Sequence, residues 1–208
     1  MLLSLWKNKL ASLFKRPVKE SPHPCISLPQ YMYEKYEAIK KHQIKAPVPV
    51  LAIAEELGLP VFDTFELDKE TTGMLIKDKD NKYNSKSGYA IFVNASHPIC
   101  RKRFTIAIEI AHYIRHKEAI RDGIAHDMTY NSYLSDRAAS IAHSLAYDIL
   151  MPWTLLNHYV NKGISAPKKM AKLFQVPVMF MANRLKLVYL YKKPSLSNSE
   201  ESNDKSLS

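Results

Sequence analysis

Hydrophobic positions along this chain switch between two periods, and the switches mark out its elements. Apolar residues fall at helical spacing from Tyr31 to Lys41. After "PVPV", the residues Val50, Ile53, Ala54 and Leu57 make one helical face, which Gly58 ends. Two short β-like stretches follow, "GMLIKD" and "GYAIFVN", each opened by a glycine and joined by the polar "KDNKYNSKS". They predict a hairpin with a long tip. Ser96 is placed to cap the next helix, Pro98 is tolerated in its first turn, and Phe104, Ile106, Ile110 and Ile114 continue it. A polar connection from Lys117 to about Leu134 leads to a second helix, Asp136 to about Leu150, closed by Met151-Pro152.

The two ends of the chain read differently. Near the start, Leu3, Trp6, Leu10, Leu13 and Phe14 lie at helical spacing with Lys7, Lys9, Lys15 and Arg16 available for a polar face. Lys7 and Lys9 interrupt the apolar stretch, so a retained amphipathic helix is expected rather than a signal peptide. Such a helix suits either docking on protein or contact of residues 1–16 with an anionic membrane surface. Toward the other end, Lys168 to Phe174, then "QVP", then "VMFMANRLK" follow the helix, tight turn, helix order of a helix-turn-helix. The tail "PSLSNSEESNDKSLS" is rich in serine, asparagine and acid, a composition expected to stay disordered. The expected architecture is α+β, with helices packed on a small antiparallel sheet and a C-terminal helix-turn-helix-like segment. The expected divisions are a basic extension (1–30), a main domain (31–160), a basic helix-turn-helix-like segment (161–190) and the tail (191–208).

Charge refines that division. The net +10 is spread unevenly: residues 1–45 carry nine Lys/Arg against three Asp/Glu, residues 46–148 twelve against fourteen, residues 149–199 eight against none, and residues 200–208 one against three. The basic character therefore sits in the flanks, where it suits an acidic partner, nucleic acid or anionic lipid. Lys168, Lys169, Lys172 and Arg184 are the candidate phosphate contacts, with packing of the two helices as the plainer role. The two cysteines, Cys25 and Cys100, form no ligand pair or disulfide framework, which suits a reducing, cytoplasmic compartment. No apolar run approaches the length that spans a bilayer.

The motifs "VPVLAIAEELGLPV", "SGYAIFVN", "RKRFTIAIEIAH", "AASIAHSLAYDILMP" and "MAKLFQVPVMFMANRL" occur in that order between about Tyr31 and Val188. Taken together they resemble the ImmA/IrrE family of zinc metallo-endopeptidases, which have a zincin-like minimal metallopeptidase fold. Members of that family carry His-Glu-x-x-His on one helix and a ligand glutamate on the next, and cleave helix-turn-helix, Xre-type repressors or antitoxins. The resemblance implies a general base at Glu109 and a zinc ligand at His112. It also places Ile108 where the first ligand histidine belongs, and Ala139 where the ligand glutamate belongs. Neither side chain has a lone pair to give, so the resemblance implies a framework that has lost zinc and a Glu109 left as a solvated surface carboxylate. A rearranged site remains open, with zinc held by His112, His116 and His143, since the first two are one helical turn apart and His143 lies four beyond Ala139. It requires the two helices to run roughly parallel. Asp136, Asp148 and His126 are further possible donors that no spacing selects. The reading that follows is a regulatory pseudopeptidase with a protein partner, received as an added strand along "GYAIFVN". An active enzyme with a displaced site and a DNA-binding regulator are the alternatives.

Overall fold

The computed structural model describes residues 30–116 and 136–191, and side chains at 34–115 and 141–187. The N-terminal amphipathic stretch, Cys25, the connection after His116, His126 and the acidic tail lie outside the described residues. Helix α1 (Gln30–Lys40) and helix α2 (Val50–Glu56) come first, and α2 buries Val50, Ile53 and Ala54. Gly58, at φ +72°, turns the chain out of α2 in a conformation that a side chain would strain. Strands β1 (Val61–Thr64), β2 (Gly73–Lys77) and β3 (Tyr89–Asn94) follow. Helices α3 (Ile99–His116), α4 (Asp136–Leu150), α5 (Trp153–Asn161), α6 (Pro167–Phe174) and α7 (Val178–Tyr191) complete the order.

The hairpin is present, β2 against β3, with Leu75 opposite Ile91. The sheet is mixed rather than antiparallel, because β1 pairs parallel with β3, Phe62 opposite Phe92. Strand order is β1-β3-β2. The strand "YAIFVN" is thus central and not an edge, which corrects the expectation that a partner chain adds there. Its burial on both faces agrees, since only Phe92 of its six residues is not buried. β1 escaped the sequence reading because four residues with one exposed acid give too short an alternation to register.

Helix α3 covers the sheet face that carries Gly73, Leu75, Ile91 and Val93. Gly73 is required there, because a Cβ would lie 2.4 Å from Thr105 Cγ2 and 2.7 Å from the Phe92 carbonyl. Lys102 of α3 reaches Asp63 of β1 at 2.7 Å, and Arg103 donates to the Val48 carbonyl at 2.6 Å. The helix starts at Ile99, where the Pro98 carbonyl accepts from Arg101 and Lys102, so Ser96 is two residues too early to cap it. The C-terminal helices share the same core: Met170, Phe174, Met181 and Leu185 are buried with the residues of α3 and α4. Phe180 stacks on Phe104 at 4.1 Å, which ties α7 directly to α3.

Candidate functional site

Every residue of α3 from Phe104 to Ile114 is buried. Apolar residues at 104, 106, 107, 108, 110, 111 and 114 leave no side of the helix for water, so the polar residues among them are carried inside. Glu109 is fully buried, and neither carboxylate oxygen has a hydrogen-bond partner among the described residues. Burial alone pushes its carboxyl up to about 8, which keeps it protonated and uncharged at neutral pH. A solvated surface carboxylate was the wrong expectation: periodicity picked one apolar stripe of α3, whereas Ile108 and Ala111 close the other sides. His112 is 1% exposed, and Ile108 is 6% exposed.

The start of α3 lies against the end of α4. Phe104 meets the rings of His143 at 6.1 Å and Tyr147 at 5.4 Å, so the two helices pack in the antiparallel sense usual for sequence neighbours. His112 follows Phe104 by two turns, roughly 12 Å along the axis, and His116 by one turn more. His143 is therefore carried toward the opposite end of α3 from His116, against the roughly parallel packing that a His112, His116, His143 site requires. His143 is instead an interhelical ring beside Phe104, and burial lowers its pKa. Stepping one turn along each helix from the Phe104–His143 contact, in opposite directions, pairs position 108 with position 139. Both positions lie within the helices as expected, although the side chains of Ala139, His116 and Asp136 lie outside the described residues.

Among the described residues the donors do not add up to a metal site. Ile108 offers no lone pair at the position of the first ligand, and no group of three His, Cys, Asp or Glu among the described residues is arranged to hold an ion. Asp148 is engaged elsewhere: the Arg184 guanidinium donates to it at 2.5 Å and to the Met151 carbonyl at 3.2 Å. That contact also corrects the reading of Arg184, which is 9% exposed and clamps α7 onto the end of α4 rather than facing solvent. The Arg184 pairing was not legible from the sequence, since its partner lies 36 residues away.

The remaining basic candidates are on the surface. Lys168, Lys169 and Lys172 are exposed on α6, whose buried side is Met170, Ala171 and Phe174. Gln175, in the left-handed conformation at φ 52°, ends α6 and turns the chain into α7. The first turn of α7 presents Val178 and Met179, 50% and 65% exposed. No helix among the described residues is long and apolar enough to cross a membrane.

Comparison with known proteins agrees with this geometry at the level of the family. No curated protein matches the chain. The family model for the M78 peptidases, described as an IrrE N-terminal-like domain, matches residues 52–186, a span that runs from α2 into α7 and takes in the hairpin and both central helices. The chain belongs to the M78 peptidase family, with an IrrE N-terminal-like domain.

Proposed function

We propose that this chain is a regulatory pseudopeptidase, which keeps the metallopeptidase framework, does not cut, and binds a protein partner such as an Xre-type repressor or antitoxin in mobile-element, toxin–antitoxin or stress regulation. The observation that carries it is Glu109. A general base needs an oriented water and a charge that stabilises the carboxylate. Here the carboxyl is fully buried with no hydrogen-bond partner among the described residues, and desolvation favours its neutral form. A neutral, fully buried acid is not placed to take a proton from water. Ile108 and Ala139 remove two of the three donors that the family resemblance implies, leaving His112. An extended partner chain has β1 or β2 to pair with, since these are the outer strands among the described residues.

The test is metal analysis of protein purified without added metal, together with incubation against candidate repressors. The expected outcome is substoichiometric zinc and an intact partner that co-elutes. Near-equimolar zinc that survives dialysis and is lost on His112→Ala overturns the reading. Exposure of Lys168, Lys169 and Lys172 on one helix supports a second reading, sequence-independent contact with nucleic acid phosphates. The apolar Val178 and Met179 at the start of α7 bring no strong hydrogen-bond donor or acceptor to base edges there, which leaves at most contact with a thymine methyl.

A further inference from the structure

Helix α7 is apolar almost all round. Between Val178 and Leu187 only Asn183, Arg184 and Lys186 are polar. A helix of that composition belongs in an interior, yet only one side of this one is covered. Met181, Arg184 and Leu185 are buried and Phe180 stacks on Phe104, whereas Val178, Met179, Asn183, Lys186 and Leu187 are exposed. Of the eight large hydrophobic residues exposed among the described residues, three lie on this one helix within ten positions, which makes them a surface rather than scattered single side chains.

The shape of this face suits another helix. Val178, Ala182 and Lys186 form one row at i, i+4 spacing, and Met179, Asn183 and Leu187 form the next. The groove between two such rows takes the ridge of a second helix. Its charge suits an acidic helix. Lys186 closes the first row, and Lys172 is exposed in the last turn of α6. There the Val176 N–H bonds the Ala171 carbonyl at 3.1 Å, which holds Lys172 beside the turn that leads to Val178. No Asp or Glu occurs from Ile149 to Leu187, so nothing along this stretch offsets the cations.

Other occupants fit less well. A second copy brings the same lysines and the same net charge of +10, which repel. A lipid surface makes no use of a groove, and the one aromatic residue between Val178 and Leu187, Phe180, is turned onto Phe104 rather than out toward an interface. Nucleic acid meets one lysine and one amide on this face, among side chains that offer neither a cation for phosphate nor a donor for a base edge.

We propose that the outer face of α7 is the docking site for an acidic amphipathic helix of a protein partner, whose apolar side chains enter the groove beside Met179 and Leu187 and whose carboxylates meet Lys172 and Lys186. This rests on the reading that the chain binds a protein partner. The experiment uses the full chain and a fluorescein-labelled synthetic peptide with leucines at i, i+4, i+7 and i+11 and glutamates on either side of them. The expected result is saturable binding by anisotropy, weakened about tenfold for a peptide of the same composition with its leucines scattered. Met179→Asp should weaken binding by about tenfold or more, as the loss of a central apolar contact does. Lys172→Glu with Lys186→Glu should remove binding of the glutamate peptide and create binding of a matched peptide with lysines in place of the glutamates. All three positions are exposed, so these changes leave the core intact. Absence of binding, equal binding of the scattered peptide, or a charge-reversed chain that does not take the lysine peptide overturns the proposal. Phosphatidylglycerol vesicles or a labelled duplex that bind the parent chain through these same residues, where the peptide does not, assign the face to lipid or nucleic acid and also overturn it. Co-elution with a candidate repressor separates this proposal from the reading beneath it. A repressor retained equally by the parent and the variants leaves partner binding standing and removes the docking face, whereas a cleaved repressor removes the pseudopeptidase reading and leaves the peptide result as it is.

Discussion

Glu109 is the residue on which the chemistry of this molecule turns, and its titration offers a direct check. Below the ordinary carboxyl value of 4.5 both folded and unfolded chains carry the proton, so the group contributes no pH dependence. As pH rises toward about 8, the folded chain keeps a proton that the unfolded chain has released. Stability then falls by about 1.4 kcal/mol per unit, and the loss levels off above the folded value. Glu109→Gln removes the titration while keeping the shape. Its stability relative to wild type, read from thermal melts, should rise steadily between pH 5 and pH 8, to an advantage on the order of a few kcal/mol, with no such trend below pH 4. Parallel pH profiles for the two proteins would show that Glu109 is solvated after all. The reason its burial was hard to read is local: one acid in "AIEIAHYI" looks like the polar face of an amphipathic helix unless the residues on the other sides are counted.

At the scale of elements, the packing of β2 on α3 and of α3 on α4 carries two expectations. Gly73→Ala places a methyl group within 2.4 Å of Thr105 and 2.7 Å of a β3 carbonyl, so either the helix or the ladder must shift. A loss of about 1–3 kcal/mol is expected by urea denaturation, the usual cost of overpacking, whereas an unchanged midpoint would mean that α3 has room to move off the sheet. The second expectation concerns whether the family site can be rebuilt. Antiparallel packing pairs position 108 with position 139, so Ile108→His with Ala139→Glu should bring a histidine and a carboxylate together near His112. Without metal the double variant should melt below wild type, because polar groups enter apolar positions. With added zinc its melting temperature should rise by mass action, while either single variant rises little. A double variant that folds but shows no zinc-dependent rise would mean that the two positions do not face one site.

For the whole molecule, the distribution of charge sets what remains for nucleic acid. Of the four basic candidates, Arg184 is committed to Asp148 and Met151, which leaves Lys168, Lys169 and Lys172 on the surface. Each phosphate neutralised contributes about 0.9 to the log–log salt slope, so duplex binding through these three should show a magnitude of about 2.7 rather than about 3.6. Titrations of a labelled duplex at several salt concentrations measure it, and absence of binding at low salt leaves these lysines as solvated side chains. Much of the framework was legible without coordinates. Helical spacing with glycine or proline punctuation located α2, α4, α6 and α7, and five ordered motifs indicated the family that the domain match supports. Those features are local, set by backbone preference and by the period at which apolar side chains must face a core. Tertiary structure alone decided the rest: that β3 is central, that His143 lies toward the far end of α3 from His116, that Arg184 is a clamp, and that Glu109 is buried. Each of these depends on which distant segments cover a side chain or pair with a strand. Coverage is a property of the assembled layers, and periodicity along the chain records only that one face is buried, not how many.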